Sequence, residues 1–179
     1  MEKVERDDYD VLLLQVKKEL SKVVKRKERS VDVDIGMGFS IPLPETFHPA
    51  KEEEKRKIFW SIERPPLVFL EEKKQAGITF QMLEEWKDKD LEECREEFYP
   101  LLEKRDGRIV FYERGEIEGE IPLCWLEYKS FAKREPIYNL VFLFNCNERM
   151  ILGTFFCLFE EYDTWKKKIL ELLSRITEA

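Results

Sequence analysis

Residues 137–159, IYNLVFLFNCNERMILGTFFCLF, decide the fold. Two apolar runs, 137–146 and 149–159, are separated only by Asn147 and Glu148. A two-residue link joins antiparallel strands in a hairpin, whereas parallel strands need a long crossover. Both parities of the first run are apolar, with Tyr138, Leu140, Phe142 and Phe144 on one side and Ile137, Val141 and Leu143 on the other. Such strands must be covered on both faces.

Working outward, a helix is expected from Asp163, its cap, to about Ile176, burying Trp165, Ile169, Leu172, Leu173 and Ile176 and exposing Lys166, Lys167 and Lys168. Before the hairpin, Asp106-Gly107 is a turn signal ahead of a strand at 108–113, and an acidic loop, Gly115 to Glu120, leads into a strand at 121–131. Residues 90–104 read as an amphipathic helix with Leu91, Cys94, Phe98 and Leu102 on one face and capping-box spacing between Asp90 and Glu93. Pro100 should bend or interrupt it. Shorter strands are expected at 57–62, 67–70 and 77–83, after a charged stretch at 45–57.

From 31 to 43 every odd position is apolar, Val31, Val33, Ile35, Met37, Phe39, Ile41 and Leu43, which predicts one long strand turning Val33, Ile35, Met37 and Phe39 inward. Pro42 and Pro44 end it or place it at an edge. Residues 8–29 have helical periodicity (Leu13, Val16, Leu20, Val23), and Lys17, Lys18, Lys22, Lys25, Arg26, Lys27 and Arg29 face only Glu19 and Glu28 there. This basic helix is either a solvated face or a docking element for an anionic surface, with Lys18, Lys22, Lys25, Arg26 and Arg29 as its contacts. It is also the candidate element for forming a homodimer.

The order helix, strands, helix, strands, helix, with hairpin-length links, is an α+β pattern: a mostly antiparallel sheet of about six to seven strands packed by helices, with an N-terminal helical extension. The expected organisation is an N-terminal helix over 1–30 and a single domain over 31–179. The chain's 179 residues, 43% hydrophobic and 13% aromatic, suffice for one core. With 31 Lys+Arg against 38 Asp+Glu the net charge is −7, which argues against a nucleic-acid partner. The longest early apolar run, Val11 to Leu14, is too short for a membrane span or signal core, so the chain reads as cytoplasmic. In that compartment Cys94, Cys124, Cys146 and Cys157 read as buried reduced thiols, and their spacing suits no zinc site.

The segments GFSIPLPETF (38–47), IFWSIERPPLVFL (58–70), GITFQML (77–83), IPLCWLEY (121–128), the hairpin and TWKKKILELLSRI (164–176) together resemble the PsbP-like fold, particularly its bacterial DcrB-like branch, over about 31–177. The resemblance implies a non-catalytic binding or assembly protein, as in a photosystem subunit, a small-GTPase partner and chaperones for secreted toxins. It rests on element order, so it transfers no motif residue to a numbered position.

Catalytic chemistry has little to work with. His48 is the only imidazole; Ser40 lies in half of a nucleophile elbow, with proline where the second glycine belongs. Asp32 and Asp34 share a strand face at about 6.5–7 Å, a spacing open to a cation or an acid/base pair, which leaves a small carboxylate-dependent hydrolase as an alternative reading. Glu116, Glu118 and Glu120 read as a soluble loop or contact rim. No cofactor, metal or phosphate-binding motif is present in the sequence. The leading reading is a non-enzymatic protein-binding or chaperone-like module with no catalytic residue. Its partner is a protein or peptide held by aromatic anchors Trp60, Phe80 and Trp125, on a hairpin face that two helices packed on the other side leave open.

Overall fold

The structure is a computed structural model that describes residues 28–59, 64–73 and 75–179. The chain runs β1 (Ser30–Asp34), β2 (Phe39–Pro44), β3 (Phe47–Pro49), α1 (Glu52–Ile58), β4 (Leu67–Glu71), β5 (Ala76–Met82), α2 (Leu91–Arg105), β6 (Val110–Ile117), β7 (Leu123–Ala132), β8 (Glu135–Cys146), β9 (Arg149–Leu158), α3 (Tyr162–Leu173) and β10 (Thr177–Glu178). Single 3-10 turns, Glu84–Trp86 and Phe159–Glu161, precede α2 and α3.

The hairpin of residues 137–159 is the middle of the larger sheet. Asn147 and Glu148 both take positive φ, 50° and 60°, the geometry of a two-residue turn whose twist matches its strands, and Cys146 pairs with Arg149. Around it the strand order is β3-β4-β5-β9-β8-β7-β6, every pairing antiparallel. A second sheet, β1-β2-β10, is also antiparallel. The α+β class and the mostly antiparallel sheet follow the sequence expectation.

The two helices take opposite faces of the hairpin, which corrects the expected open face. Leu126, Val141, Leu143 and Leu152 pack with Cys94 and Leu102 of α2. Phe80, Leu140, Phe142, Phe144 and Phe155 pack with β2 and with Trp165, Ile169, Leu172 and Leu173 of α3. One face is thus closed by a helix and the other by a helix plus the small sheet, because two layers are needed to bury strands that are apolar at both parities.

The stretch 31–43 is a hairpin and not one strand: Asp34 pairs with Ser40 and Ser30 with Pro44. Gly36 and Gly38 have φ of 77° and 93°, which side-chain-bearing residues rarely adopt, and the chain reverses between them. Alternation survives because Ile35 and Met37 drop into the core from the turn itself, while Val33 is half-buried and Val31 is exposed. β10 pairs only with Phe39 and Ser40, so the proline half of β2 lies beyond its reach.

Other boundaries shift. Residues 57 and 58 end helix α1, with the Lys51 N–H bonded to the Glu54 carboxylate at its start, where a strand over 57–62 was expected. Helix α2 begins at its Asp90 cap, whose carboxylate accepts the Glu92 N–H, and continues through Pro100 to Arg105. Proline removes a single donor, and the Cys94, Leu102, Leu91 and Phe98 face still packs. Helix α3 starts at Tyr162, out of the preceding 3-10 turn, so Asp163 lies in its first turn and is not its cap. Residues Gly115 to Ile117, expected in a loop, continue β6 after a bulge between Phe111 and Arg114. The helix expected over 8–29 falls outside the described residues except Glu28 and Arg29, which are in neither helix nor strand. No described helix is long and apolar enough to cross a membrane.

Candidate functional site

Strand β7 turns Leu123 and Trp125 toward α3, and Glu127 continues that parity. The fold therefore carries a carboxylate under the helix, where it is 4% exposed, the one buried carboxylate among the described residues. Burying a charge alone costs several kcal/mol, and three donors offset that cost. The Tyr138 hydroxyl donates to Oε2 at 2.6 Å; Lys166 Nζ and the Glu113 N–H donate to Oε1 at 2.9 and 3.1 Å. Lys166 also donates to Glu113 Oε2 at 2.7 Å, so one ammonium bridges two carboxylates.

The acid–base properties follow from these contacts. Burial, and then the bond to Glu127, pushes the Tyr138 phenol well above the usual tyrosine range. Burial works against the Lys166 ammonium, but its bonds to Glu113 and Glu127 outweigh it and raise its pKa. The Lys166 bond and charge lower Glu113. Both Glu127 oxygens thus accept hydrogen bonds from within the chain, two on Oε1 and one on Oε2.

This network floors a cleft of about 160 Å³ lined by Tyr112, Glu113, Glu127, Tyr138, Phe159, Tyr162 and Lys166. The Tyr112 ring is 6.0 Å from Phe159, and Phe159 stacks on Tyr162 at 5.2 Å, so the wall is a ribbon of three rings. Tyr112 is 45% exposed at the mouth of the cleft. Trp125 stands beside the cleft with Lys166 Nζ 5.7 Å from its ring centre. A Cβ at Gly115 would meet that ring at 2.8 Å, which explains a glycine opposite Trp125 in β6.

The expected site residues scatter. Phe80 is 0% exposed and packed against Phe39, Phe69 and Phe142, so it belongs to the core and presents no surface to a partner. Trp125, at 8% exposure, is likewise buried in the core beside the cleft and presents no free face, and Trp60 falls outside the described residues. Lys18, Lys22, Lys25 and Arg26 also fall outside them; Arg29 is exposed. Asp32 and Asp34 are exposed on β1, where Asp34 Oδ1 accepts the Gly36 N–H at 2.8 Å and shapes the turn. Ser40 and His48 lie in different sheets, and His48 approaches Glu54 at 3.6 Å. Glu116 lies 3.8 Å from Arg95, and Glu120 accepts the Glu178 N–H. The four cysteines are free and buried; burial pushes Cys124 and Cys157 up to about 12. Among the described residues no group of three His, Cys, Asp or Glu side chains could hold a metal ion.

Sequence reasoning missed Glu127 and Lys166 as a pair. Lys166, expected on the exposed face of α3, leans inward with 23% of its side chain exposed, while Lys167 is exposed. The available signal was a glutamate at the parity of Ile121, Leu123 and Trp125: an acid on an apolar strand face requires a buried donor.

No protein-family model matches the chain, and no curated protein does. Solved structures do match its fold. The cyanobacterial PsbP (CyanoP) of Synechocystis superposes with a TM-score of 0.62 at 12% identity, covering 85% of this chain and 94% of that one. The Ran-binding protein Mog1p of Saccharomyces cerevisiae does so with a TM-score of 0.58 at 11% identity, covering 85% and 96%. At these identities the likeness is one of fold, and the chain has the PsbP-like fold that its element order resembles.

Proposed function

We propose that this protein is a non-enzymatic protein-binding module and that the Tyr112 cleft is its contact surface. The observation that carries the reading is the combination of an exposed aromatic rim with a carboxylate whose oxygens are all taken within the chain. A catalytic base must reach a substrate, and Glu127 is 4% exposed beneath its donors, whereas an interface anchor needs an exposed ring on a rigid floor. That Mog1p is a Ran-binding protein supports a binding role for the fold without naming a partner for this chain. A chaperone-like role would be one form of such binding.

Full-length protein, tagged and recovered from native extract, should retain one stoichiometric partner. Tyr112→Ala should lose it while the unfolding free energy stays within about 0.5 kcal/mol of the parent, as for a surface substitution. Retention by the variant would place the contact elsewhere. Purified protein that turns over a substrate would overturn the non-enzymatic reading.

A further inference from the structure

Charge in the cleft is not evenly settled. Glu113 and Glu127 supply two carboxylates and Lys166 one ammonium, which leaves one negative charge over. Glu127 is enclosed by its three donors, so the surplus lies at Glu113, whose side chain is 73% exposed beside the Tyr112 ring. The chain's own Lys166 ammonium already shows what these surroundings favour, bonded to both carboxylates and 5.7 Å from the centre of the Trp125 ring. Two charges flank the ring ribbon and cancel, the Lys129 Nζ 5.1 Å from the centre of Phe159 and the Asp163 carboxylate hydrogen-bonded to Tyr162, so the surplus of one stands.

We propose that the outer half of the cleft seats an arginine side chain of the protein partner, stacked on Tyr112 and paired with Glu113. The proposal rests on the protein-binding reading above. A guanidinium is flat, so it stacks face-on against a ring while its edge offers a fork of donors to a carboxylate and satisfies both exposed elements at once; an ammonium is a more strongly hydrated point charge with no flat face to stack. An acidic segment would meet Glu113 and the net charge of −7.

The test is a titration of the full-length protein, followed by amide chemical shifts, with the peptide acetyl-Gly-Arg-Gly-amide and its citrulline counterpart, which keeps the shape and loses the charge. The arginine peptide should shift Tyr112, Glu113, Phe159 and Tyr162, and the citrulline peptide should bind more weakly or not at all. Glu113→Gln should weaken arginine binding about two- to five-fold, the range of an exposed ion pair, and Tyr112→Ala by a similar factor. Equal binding of the two peptides, shifts elsewhere on the surface, or no effect of Glu113→Gln would overturn the arginine seat. If the native partner is still lost in Tyr112→Ala while the arginine peptide fails to bind, this inference falls and the binding reading stands. Absence of any native partner would count against that reading instead.

Discussion

The two faces of the seven-stranded sheet are closed differently. Toward α3 the core is aromatic, with Phe39 meeting Phe80 and Phe144 edge-to-face at 5.3 and 4.9 Å, and its one buried charge, Glu127, is held by a cation, a phenol and an amide. Toward α2 the core is mainly aliphatic and thiol, and the buried charge is Arg95, which donates to the Gly115 carbonyl at 3.0 Å while its nearest carboxylates stay 3.8 and 4.0 Å away. Its Nε has no hydrogen-bond partner. Both charges lie at the β6 end of the sheet. A buried charge with its donors in place rigidifies its surroundings, whereas one with an unpartnered N–H keeps a desolvation cost that its remaining contacts only partly offset.

Adjacent residues of β8 test the ranking of the faces directly. Phe142→Ala, on the α3 side, should cost about 3–5 kcal/mol, and Leu143→Ala, on the α2 side, about 2–4 kcal/mol, measured by denaturant unfolding. A larger loss at Leu143 would invert the comparison. The buried charges come next. Lys166→Met strands Glu127 and should cost about 2–3 kcal/mol, with part of that recovered in the Lys166→Met, Glu127→Gln double variant. Arg95→Met replaces a poorly paired charge by an apolar chain of similar length and should cost about 1 kcal/mol or less, the value of the lost bond to Gly115. Equal losses at Lys166 and Arg95 would mean that the two networks are energetically alike.

How much of this was readable depends on whether a signal was local. The β8–β9 hairpin was legible because two residues leave no other connection, and α2 because Cys94, Phe98 and Leu102 repeat at helical spacing. The β1–β2 turn was not, since period two runs unbroken across Gly36 and Gly38 and only the backbone reverses. Helix α1 buries no residue, so it left no apolar stripe. Which helix covers which face is tertiary information, and it is what separates Phe80 in the core from Tyr112 at the surface. Glu127 and Lys166 are 39 residues apart and meet only once α3 has docked. The parity of Glu127 announced a buried acid, but nothing in the sequence named its partner.

The smallest effect separates the two sides by pH. At the end of α2, Asp106 is gripped by Arg108, whose Nε and Nη2 donate at 3.0 and 2.8 Å and whose backbone N–H donates at 3.0 Å. The side-chain bonds first, and then the backbone bond, hold this carboxyl at about 2 instead of 3.8. A lowered folded pKa gives stability that is fully present above 3.8 and is lost as pH falls through about 2. The group is exposed, so solvent screening keeps the contribution small, and a negative charge after the last turn of a helix opposes the helix dipole. Asp106→Asn should therefore lower the unfolding midpoint slightly at pH 6, and the gap from the parent should close as pH falls from 4 toward 2. Glu113, lowered by Lys166, follows the same sign from 4.5 downward on the α3 side, so Glu113→Gln should show its own gap closing from a higher starting pH. A gap for Asp106→Asn that is unchanged between pH 6 and 2 would mean that the Arg108 fork does not form in solution, and the α2 side would then contribute nothing to acid sensitivity through this group.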